Sequence, residues 1–256
     1  SNTAFRGFGG PQGMFVIEEV VDAVARACGL DALAVRRVNL YGVDERNETH
    51  YGQVIHDNVL PELLDRLEVS SGYAARRAAV DAFNARGGVV RRGLALTPVK
   101  FGVSFNPVHL NQAGALLHLY ADGSLLLNHG GTEMGQGLFT KVAQVVAAEF
   151  DVDPARVRVS ATDTARVPNT SATAASSGSD LNGMAAREAC LALKARLAAF
   201  LAPEWGVPAE AIAWRDGAAH ARVDGVPRSI DLAALARRAY MARVSLSAQG
   251  FYRTPE

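Results

Sequence analysis

Apolar residues recur at spacings of three and four along the first third of the chain, which is the period of an amphipathic helix. This spacing predicts four helices, over residues 13–27, 32–40, 59–69 and 73–86. Gly29 is placed to end the first helix and Asp31 to cap the second. The N-terminal third is therefore expected to be mostly helical.

The pattern changes after Gly88, where β-branched residues and alternating segments become frequent. Strands are predicted over residues 89–100, 102–110, 115–120, 124–129 and 157–161. Asp122-Gly123 and Asp224-Gly225 predict two hairpin turns. Further helices are predicted over residues 138–150, 181–201 and 231–241. The predicted fold class is α+β, with a helical segment over 1–87 followed by a mixed α/β domain over 88–256.

Two glycine-rich boxes, at residues 4–12 and 130–137, each lead into a predicted helix. Glycine lets backbone amides approach a ligand, and a helix N-terminus offers unpaired N–H groups with a partial positive charge. Neither box fits a common nucleotide pattern, because Leu138 follows Gly137 and Gln12 stands where a dinucleotide loop has its last glycine. The boxes therefore predict a site for another polar or anionic cofactor, with a tight connection as the structural alternative.

A third candidate segment, residues 173–179, is a run of small and hydroxyl-bearing residues before a predicted helix. Such residues present hydroxyls and amides without bulk, so they suit the edge of a phosphate or a planar ring. The alternative is a Ser/Thr-rich capping loop.

The composition is that of an ordinary globular protein of 256 residues, 49% of them hydrophobic. Lys plus Arg and Asp plus Glu number 26 each, so no nucleic-acid or anionic membrane partner is predicted. No apolar run is long enough to cross a membrane, and a cytoplasmic location is expected.

Cysteine and histidine give no sign of a metal site built from side chains. Cys28 and Cys190 lie in apolar helical patterns and are predicted to be buried, reduced thiols. The six histidines lack paired helical spacing and a companion carboxylate motif, and most are predicted to be surface residues or satisfied polar residues.

The glycine boxes and several further segments resemble the molybdopterin-binding subunit of the molybdenum hydroxylase family, the family of xanthine dehydrogenases and aldehyde oxidases. The additional segments that carry the resemblance are residues 100–105, 110–115, 167–176, 179–185 and 244–252. The resemblance is weakest over residues 203–228. It implies that residues 1–87 end one cofactor-binding subdomain and that residues 88–256 begin a second.

The resemblance implies a set of residues that contact molybdopterin: Arg6, Met134, Gly135, Gln136, Ala175, Ser176 and Ser179. In this family the metal is held by the dithiolene of the cofactor, so no protein metal ligand is expected.

The same resemblance implies a substrate slot between two phenylalanines, with Phe8 stacked on a flat heteroaromatic ring and Phe105 presenting its edge. Taken alone, Phe8 could equally be a core residue. Asn106 stands where the family usually has a threonine, and Pro107 follows it. This departure leaves the purine specificity open.

The activity implied by the resemblance is hydroxylation of xanthine or hypoxanthine to urate by a longer parent enzyme. Electrons would pass through 2Fe–2S clusters and FAD, on an iron–sulfur/FAD subunit or domain, to NAD. The general base of the family lies in a glutamate motif that this chain does not reach, so no catalytic residue is assigned and Glu133 is treated as structural. The chain is expected to be an internal fragment that is inactive alone.

Two alternatives remain open at this point. One is an aldehyde-oxidising member of the same family, and the other is a scaffold or interaction domain that keeps the fold without the cofactor.

Overall fold

The computed structural model describes residues 6–255, which divide into two compact units between Phe101 and Gly102. The first unit is helical, and the second combines helices with two β-sheets. The predicted α+β fold class is therefore confirmed.

All four helices predicted in the first unit are present. They are α1 (Gly10–Cys28), α2 (Ala32–Val38), α3 (Leu60–Ser71) and α4 (Tyr73–Ala85). Gly29 ends α1 with a left-handed φ of 64°. Asp31 caps α2 as predicted, since its carboxylate accepts a hydrogen bond from Leu33 N at 2.8 Å.

A buried arginine ties the first two helices together. Arg36 of α2 is 4% exposed, and its guanidinium donates to Glu18 Oε2 at 2.7 Å and to Asp22 Oδ1 at 2.9 Å, both on α1. The apolar residues that predict α1 do not pack inward within this unit, because Phe15 is 79% and Val16 61% exposed. The predicted helical period is thus correct. The contact between α1 and α2 described above, however, is formed by charged side chains and not by these apolar residues.

The strands predicted over residues 89–100 and 102–110 are wrong. These residues, all within the described part of the chain, form irregular backbone and one short 3₁₀ turn, Val108–Leu110. Val89 is fully exposed, and Pro98 and Pro107 interrupt the two segments. A proline cannot donate to a β-ladder, and β-branched composition alone supplies no pairing partner.

The second unit follows a β–β–α–β–α–β–β–β–α–β order. Its elements are β1 (Gln112–Leu119), β2 (Leu125–His129), α5 (Leu138–Phe150), β3 (Val157–Val159), α6 (Gly178–Trp205), β4 (Ala213–Arg215), β5 (Ala218–Val223), β6 (Val226–Asp231), α7 (Leu232–Met241) and β7 (Ser247–Arg253). One sheet has the order β3-β2-β1-β7, and a smaller sheet has the order β4-β5-β6. The β2–β3 pair is parallel and the other pairs are antiparallel.

Both predicted hairpins are confirmed. The β1–β2 register pairs Leu119 with Leu125 around the Asp122-Gly123 turn. In the β5–β6 hairpin, Asp224 and Gly225 both have positive φ, 50° and 80°, as a tight two-residue turn requires.

Strand β7 was not predicted from its pattern, and a glycine at its centre explains both the omission and the packing. A Cβ on Gly250 would lie 2.0 Å from Ala185 O on α6, so the helix approaches the strand more closely than any side chain allows. Glycine weakens a strand pattern in the sequence but permits this contact in the fold.

The core of the second unit lies between the four-stranded sheet and its helices, and the 28-residue helix α6 contributes the largest share. Cys190 on this helix is buried, and burial raises the pKa of its thiol to about 12, as expected for an inert thiol. The prediction for Cys28 is wrong, because this residue is exposed at the end of α1. The helical period placed both cysteines correctly on helices but did not reveal which helix face is covered.

Candidate cofactor-binding site

The N-terminal glycine box forms a tight turn that starts α1. Gly7, Phe8 and Gly9 have φ values of 82°, 37° and 92°, and Gly10 N donates to Gly7 O at 2.9 Å. Arg6 is exposed, and Phe8 is 78% exposed, so the alternative that Phe8 is a core residue is wrong in this unit. Residues 4 and 5 of the box lie outside the described residues.

The central box forms a loop between β2 and α5 that Gln136 holds in shape. Its side-chain Oε1 accepts from Met134 N at 2.6 Å, and its Nε2 donates to Thr132 O at 3.0 Å. Met134 and Gly135 are exposed on this loop, and Gln136 is half-buried. The three predicted cofactor residues therefore lie in one short, internally hydrogen-bonded segment, named the cofactor loop below (residues 132–137).

The N–H groups at the start of α5 are not left open for a ligand, contrary to the prediction for this box. Glu133 Oε1 accepts from Gly135 N at 2.8 Å and Gly137 N at 3.0 Å, and its Oε2 accepts from Phe139 N at 3.1 Å. These backbone donors lower the pKa of the Glu133 carboxyl, the bond from Phe139 being the largest cause. Glu133 is thus the anion at this helix N-terminus, in agreement with the structural role assigned to it.

The N-terminus of α6 has no such side-chain cap. Ser177 occupies the N-cap position, but its hydroxyl donates back to Ala174 O at 3.1 Å and makes no capping bond to the helix. The two preceding residues, Ala175 and Ser176, have left-handed φ values of 55° and 57°, which cost about 1–2 kcal/mol for each non-glycine residue. Ser176 and Ser179 are exposed beside this end of the helix.

Phe105 is fixed by a buried asparagine. Phe105 N donates to Asn111 Oδ1, and Asn111 Nδ2 donates to Phe105 O, both at 2.8 Å. The Phe105 side chain is half-buried and Asn106 next to it is exposed. The backbone at this position is therefore well defined, and the following residue is open to solvent.

Hydrogen bonds join the three predicted segments of the second unit. Thr132 N, at the start of the cofactor loop, donates to Thr173 Oγ1 at 2.8 Å. Ser104 N, next to Phe105, donates to Ala175 O at 2.9 Å. The segments around Phe105, Gln136 and Ala175 are thus brought together around the N-terminus of α6, whereas Arg6 and Phe8 belong to the other unit.

His129, the residue before the central box, is a buried group that the sequence pattern did not single out. It is 1% exposed, its Nδ1 accepts from Gly131 N at 3.1 Å, and its ring contacts Phe139 edge-on at a centroid distance of 5.3 Å. Burial lowers the pKa of His129 to about 4, so the imidazole is neutral near pH 7. Its place at the end of an alternating strand and before two glycines is the signal that could have identified it.

Within residues 6–255, no group of three or more His, Cys, Asp and Glu side chains is arranged to hold a metal ion. Among the helices described there, none combines the length and apolar character needed to cross a membrane.

Comparison with known proteins identifies the family. A family model described as a molybdopterin cofactor-binding domain matches residues 66–256, and a second model with the same description matches residues 1–40. The xanthine dehydrogenase/oxidase of Rattus norvegicus is 45% identical over 255 residues, which cover 100% of this chain and 17% of that protein. The nicotinate hydroxylase of Emericella nidulans is 44% identical over 257 residues, with the same coverage of 100% and 17%.

Solved structures share the fold. Quinoline 2-oxidoreductase from Pseudomonas putida 86 aligns with a TM-score of 0.78 and 21% identity over 99% of this chain and 34% of that chain. The aldehyde oxidoreductase from Desulfovibrio gigas aligns with a TM-score of 0.64 and 21% identity over 97% of this chain and 24% of that chain.

The chain spans 17% of the length of the curated relatives named above. The family model covers most of the chain, including all three segments that meet at the N-terminus of α6. The chain therefore belongs to the molybdopterin cofactor-binding domain family.

Proposed function

We propose that this chain holds molybdopterin within a xanthine dehydrogenase-like hydroxylase, and that the second unit binds the cofactor at the N-terminus of α6 and at the cofactor loop. The observation that carries the proposal is the hydrogen-bonded meeting of three loops beside a helix N-terminus without a side-chain cap. A helix N-terminus favours an anionic group, and the phosphate of molybdopterin is one.

The residues at this end of the unit suit such a ligand. The exposed hydroxyls of Ser176 and Ser179 can donate to phosphate or pterin oxygens. Gln136 uses one side-chain N–H for Thr132 O, so its second N–H can serve the cofactor. Residues held at unfavourable φ values concentrate at ligand sites, and Ala175 and Ser176 are two consecutive examples.

Met134 and Gly135 contribute the exposed surface of the cofactor loop, and Arg6 contributes a permanent positive charge from the first unit. When bound, molybdopterin would supply the redox chemistry of hydroxylation. The residues of this chain would hold and orient it, and no catalytic residue is assigned among them.

The proposed substrate is a flat heteroaromatic molecule, with purines such as xanthine and hypoxanthine as the first candidates. Phe8 and Phe105 would contact its ring, and the exposed amide of Asn106 would hydrogen-bond its edge. A heteroaromatic carboxylate is a second candidate, because the Emericella nicotinate hydroxylase is as similar to this chain as the xanthine dehydrogenases are.

The remaining elements of the proposal concern the complete enzyme. Its electrons would pass through 2Fe–2S clusters and FAD, carried by an iron–sulfur/FAD subunit or domain, to NAD. Neither nucleic acid nor membrane is proposed as a partner. The enzyme would act in the cytoplasm in purine catabolism.

A charge introduced at the α6 N-terminus tests the cofactor site. The helix dipole favours a carboxylate at position 179, and Asp180 beside it already supplies one, so Ser179→Asp should leave the thermal midpoint close to that of the wild type while its added charge repels an anionic ligand. We expect molybdenum and pterin content of the full-length protein, measured by mass spectrometry, to fall about tenfold. Ser229→Asp on the exposed strand β6 is the matched control and should retain full content.

Unchanged content in Ser179→Asp would place the cofactor elsewhere. Absence of both molybdenum and pterin from the wild-type protein would defeat the enzymatic proposal and favour a scaffold domain. Steady-state assays with xanthine, nicotinate and an aromatic aldehyde then separate the substrate classes, and a preference for the aldehyde would contradict the heteroaromatic proposal.

A further inference from the structure

Two buried side-chain atoms in the described residues have no hydrogen-bond partner, His129 Nε2 and Asn182 Oδ1. Their residues are 1% and 5% exposed and lie on different elements, His129 at the end of β2 and Asn182 in the second turn of α6. A buried polar atom without a partner is destabilising, so the presence of two such residues beside the cofactor loop points to a role beyond core packing.

The explanation for His129 lies at its other nitrogen. Nδ1 accepts the hydrogen bond from Gly131 N, so the proton of the neutral ring is on Nε2. The imidazole therefore fixes the backbone amide of the residue just before the cofactor loop, and the unpaired Nε2 is the cost of that contact.

Asn182 lies against the same glycine from the side of α6. Its Nδ2 donates to Gly178 O at 2.8 Å in the first turn of the helix. A Cβ built on Gly131 would lie 2.8 Å from Asn182 Nδ2 and 2.6 Å from Leu138 Cδ2 on α5. A side chain at this position would force Leu138, in the first turn of α5, or Asn182, in the second turn of α6, to shift.

Contacts at its N–H, its carbonyl and its Cα therefore restrict the position of Gly131. Its N–H is bound by His129, its carbonyl accepts from Thr162 Oγ1 at 2.9 Å, and Asn182 and Leu138 close the space at its Cα. The next residue, Thr132, begins the cofactor loop and is bonded to Thr173. A shift of Gly131 would move the cofactor loop relative to the N-terminus of α6. These are the two segments proposed to bind molybdopterin.

We propose that His129 and Asn182 are positioning residues for molybdopterin: they fix Gly131 and thereby hold the cofactor loop in register with the N-terminus of α6. This inference rests on the proposed function of those two segments. Neither residue is assigned a contact with the cofactor.

Three substitutions at position 129 distinguish the contribution of Nδ1 from that of Nε2. An asparagine amide oxygen can take the place of Nδ1 and removes the unpaired Nε2, a glutamine amide reaches the Nε2 position instead, and leucine supplies neither. His118→Leu on the neighbouring strand β1 removes an imidazole together with its hydrogen bond to Ser247 Oγ, so it is the control for losing such a group elsewhere in the same sheet. Molybdenum and pterin content of the full-length protein, hydrogen exchange of the peptide containing Gly131, and the thermal midpoint are measured on each variant.

We expect His129→Asn to retain cofactor content and slow exchange at Gly131. His129→Leu and His129→Gln should lose content and exchange faster, each about tenfold, as is typical for loss of a group that orients a binding residue. Asn182→Leu loses the hydrogen bond to Gly178 O and places a branched side chain against Gly131, so it should also lose content. His118→Leu should keep the cofactor content of the wild type even where its thermal midpoint falls.

Full content in His129→Leu, or an equal loss in His129→Asn and His129→Leu, would overturn the proposal. A purely structural role predicts content that follows the thermal midpoint across all variants, which would also overturn it. If the wild-type protein carries no molybdopterin, the proposed function fails, while exchange at Gly131 still shows whether His129 and Asn182 fix this residue.

Discussion

Helices α5 and α6 both begin in the second unit, but only the N-terminus of α5 has its backbone N–H groups bound by a side chain. The α5 terminus follows the glycine box and is closed by Glu133, which accepts three backbone N–H groups. The α6 terminus follows a loop of small residues in which Ala175 and Ser176 take left-handed conformations, and no side chain caps it. The segment richer in glycine is therefore the closed one.

Glycine content alone therefore does not indicate an uncapped helix terminus. In the central box, backbone freedom lets the chain fold back so that its own carboxylate occupies the helix terminus. Before α6, two unfavourable φ values are tolerated and no side chain caps the terminus, although Asp180 places an exposed carboxylate in its first turn.

Acid should destabilise the protein most strongly through the buried imidazole of His129, whose ring contacts Phe139 in the first turn of α5. His129 has a pKa of about 4 in the folded protein against an ordinary value of 6.5. The unfolded chain then binds the additional proton, so stability should fall by on the order of 3 kcal/mol as pH drops from about 6.5 to 4. Denaturant unfolding across this range, with His129→Asn to remove the contribution, measures it. Equal pH slopes in the two proteins would show that His129 is not neutral by burial.

A somewhat smaller effect should follow from adding one methyl group between the two helix termini. Gly131→Ala places a Cβ within 2.8 Å of Asn182 and Leu138 atoms and should cost about 1–3 kcal/mol by overpacking. Gly183→Ala is the control, because its Cβ would meet only Val145 at an ordinary 3.5 Å and alanine is favoured over glycine inside α6, so this variant should lose no stability. Thermal unfolding of both variants measures this loss of stability. Equal thermal midpoints would mean that α5 and α6 can move apart at Gly131 without destabilising the protein.

Relief of backbone strain in the loop before α6 should raise the free energy of unfolding by about 1 kcal/mol. Ala175→Gly removes a Cβ from a residue with φ 55°, and the opposite change, Gly137→Ala at φ 75° before α5, should cost a similar amount. The free energies of unfolding should therefore move in opposite directions. Destabilisation by Ala175→Gly would show that the loop before α6 is not strained.

The smallest change in stability is expected from weakening the Glu133 cap at the N-terminus of α5. Glu133→Gln weakens the acceptor for the amides of Gly135, Gly137 and Phe139, so these amides should exchange faster. Amide exchange followed by mass spectrometry of the loop peptide provides the measurement, with the α6 terminal peptide as the internal reference. If both peptides change alike, Glu133 does not cap α5 specifically.

Local patterns in the sequence predicted most of the helices and both hairpins because the signals for these elements are contained in neighbouring residues. Helix α5 occupies the predicted residues 138–150, and Asp31 and Asp231 cap their helices through carboxylates that accept from Leu33 N and Ala234 N. The resemblance of separated segments indicated the family, which the family model confirms. The assigned contacts of individual residues with molybdopterin and substrate remain predictions.

The failures have a common cause. Residues 89–110 have strand-like composition without a strand beside them, and Cys28 has a helical context without a covering element. The residue pattern gave no strand at β7, where Gly250 interrupts the apolar alternation, although close contact with α6 requires that glycine. Pairing and coverage depend on residues far away in the chain, which no local period contains.

The helical periods, the turn residues and the two glycine boxes can be read from the sequence, since each follows from the conformational preferences of adjacent residues. Folding of the whole unit, in contrast, places Glu133 at the N-terminus of α5, leaves the N-terminus of α6 without a side-chain cap, and brings His129 and Asn182 to Gly131. These outcomes depend on which hydrogen-bond donors and acceptors the folded chain brings within about 3 Å of one another, and that distance is set by packing across the whole unit.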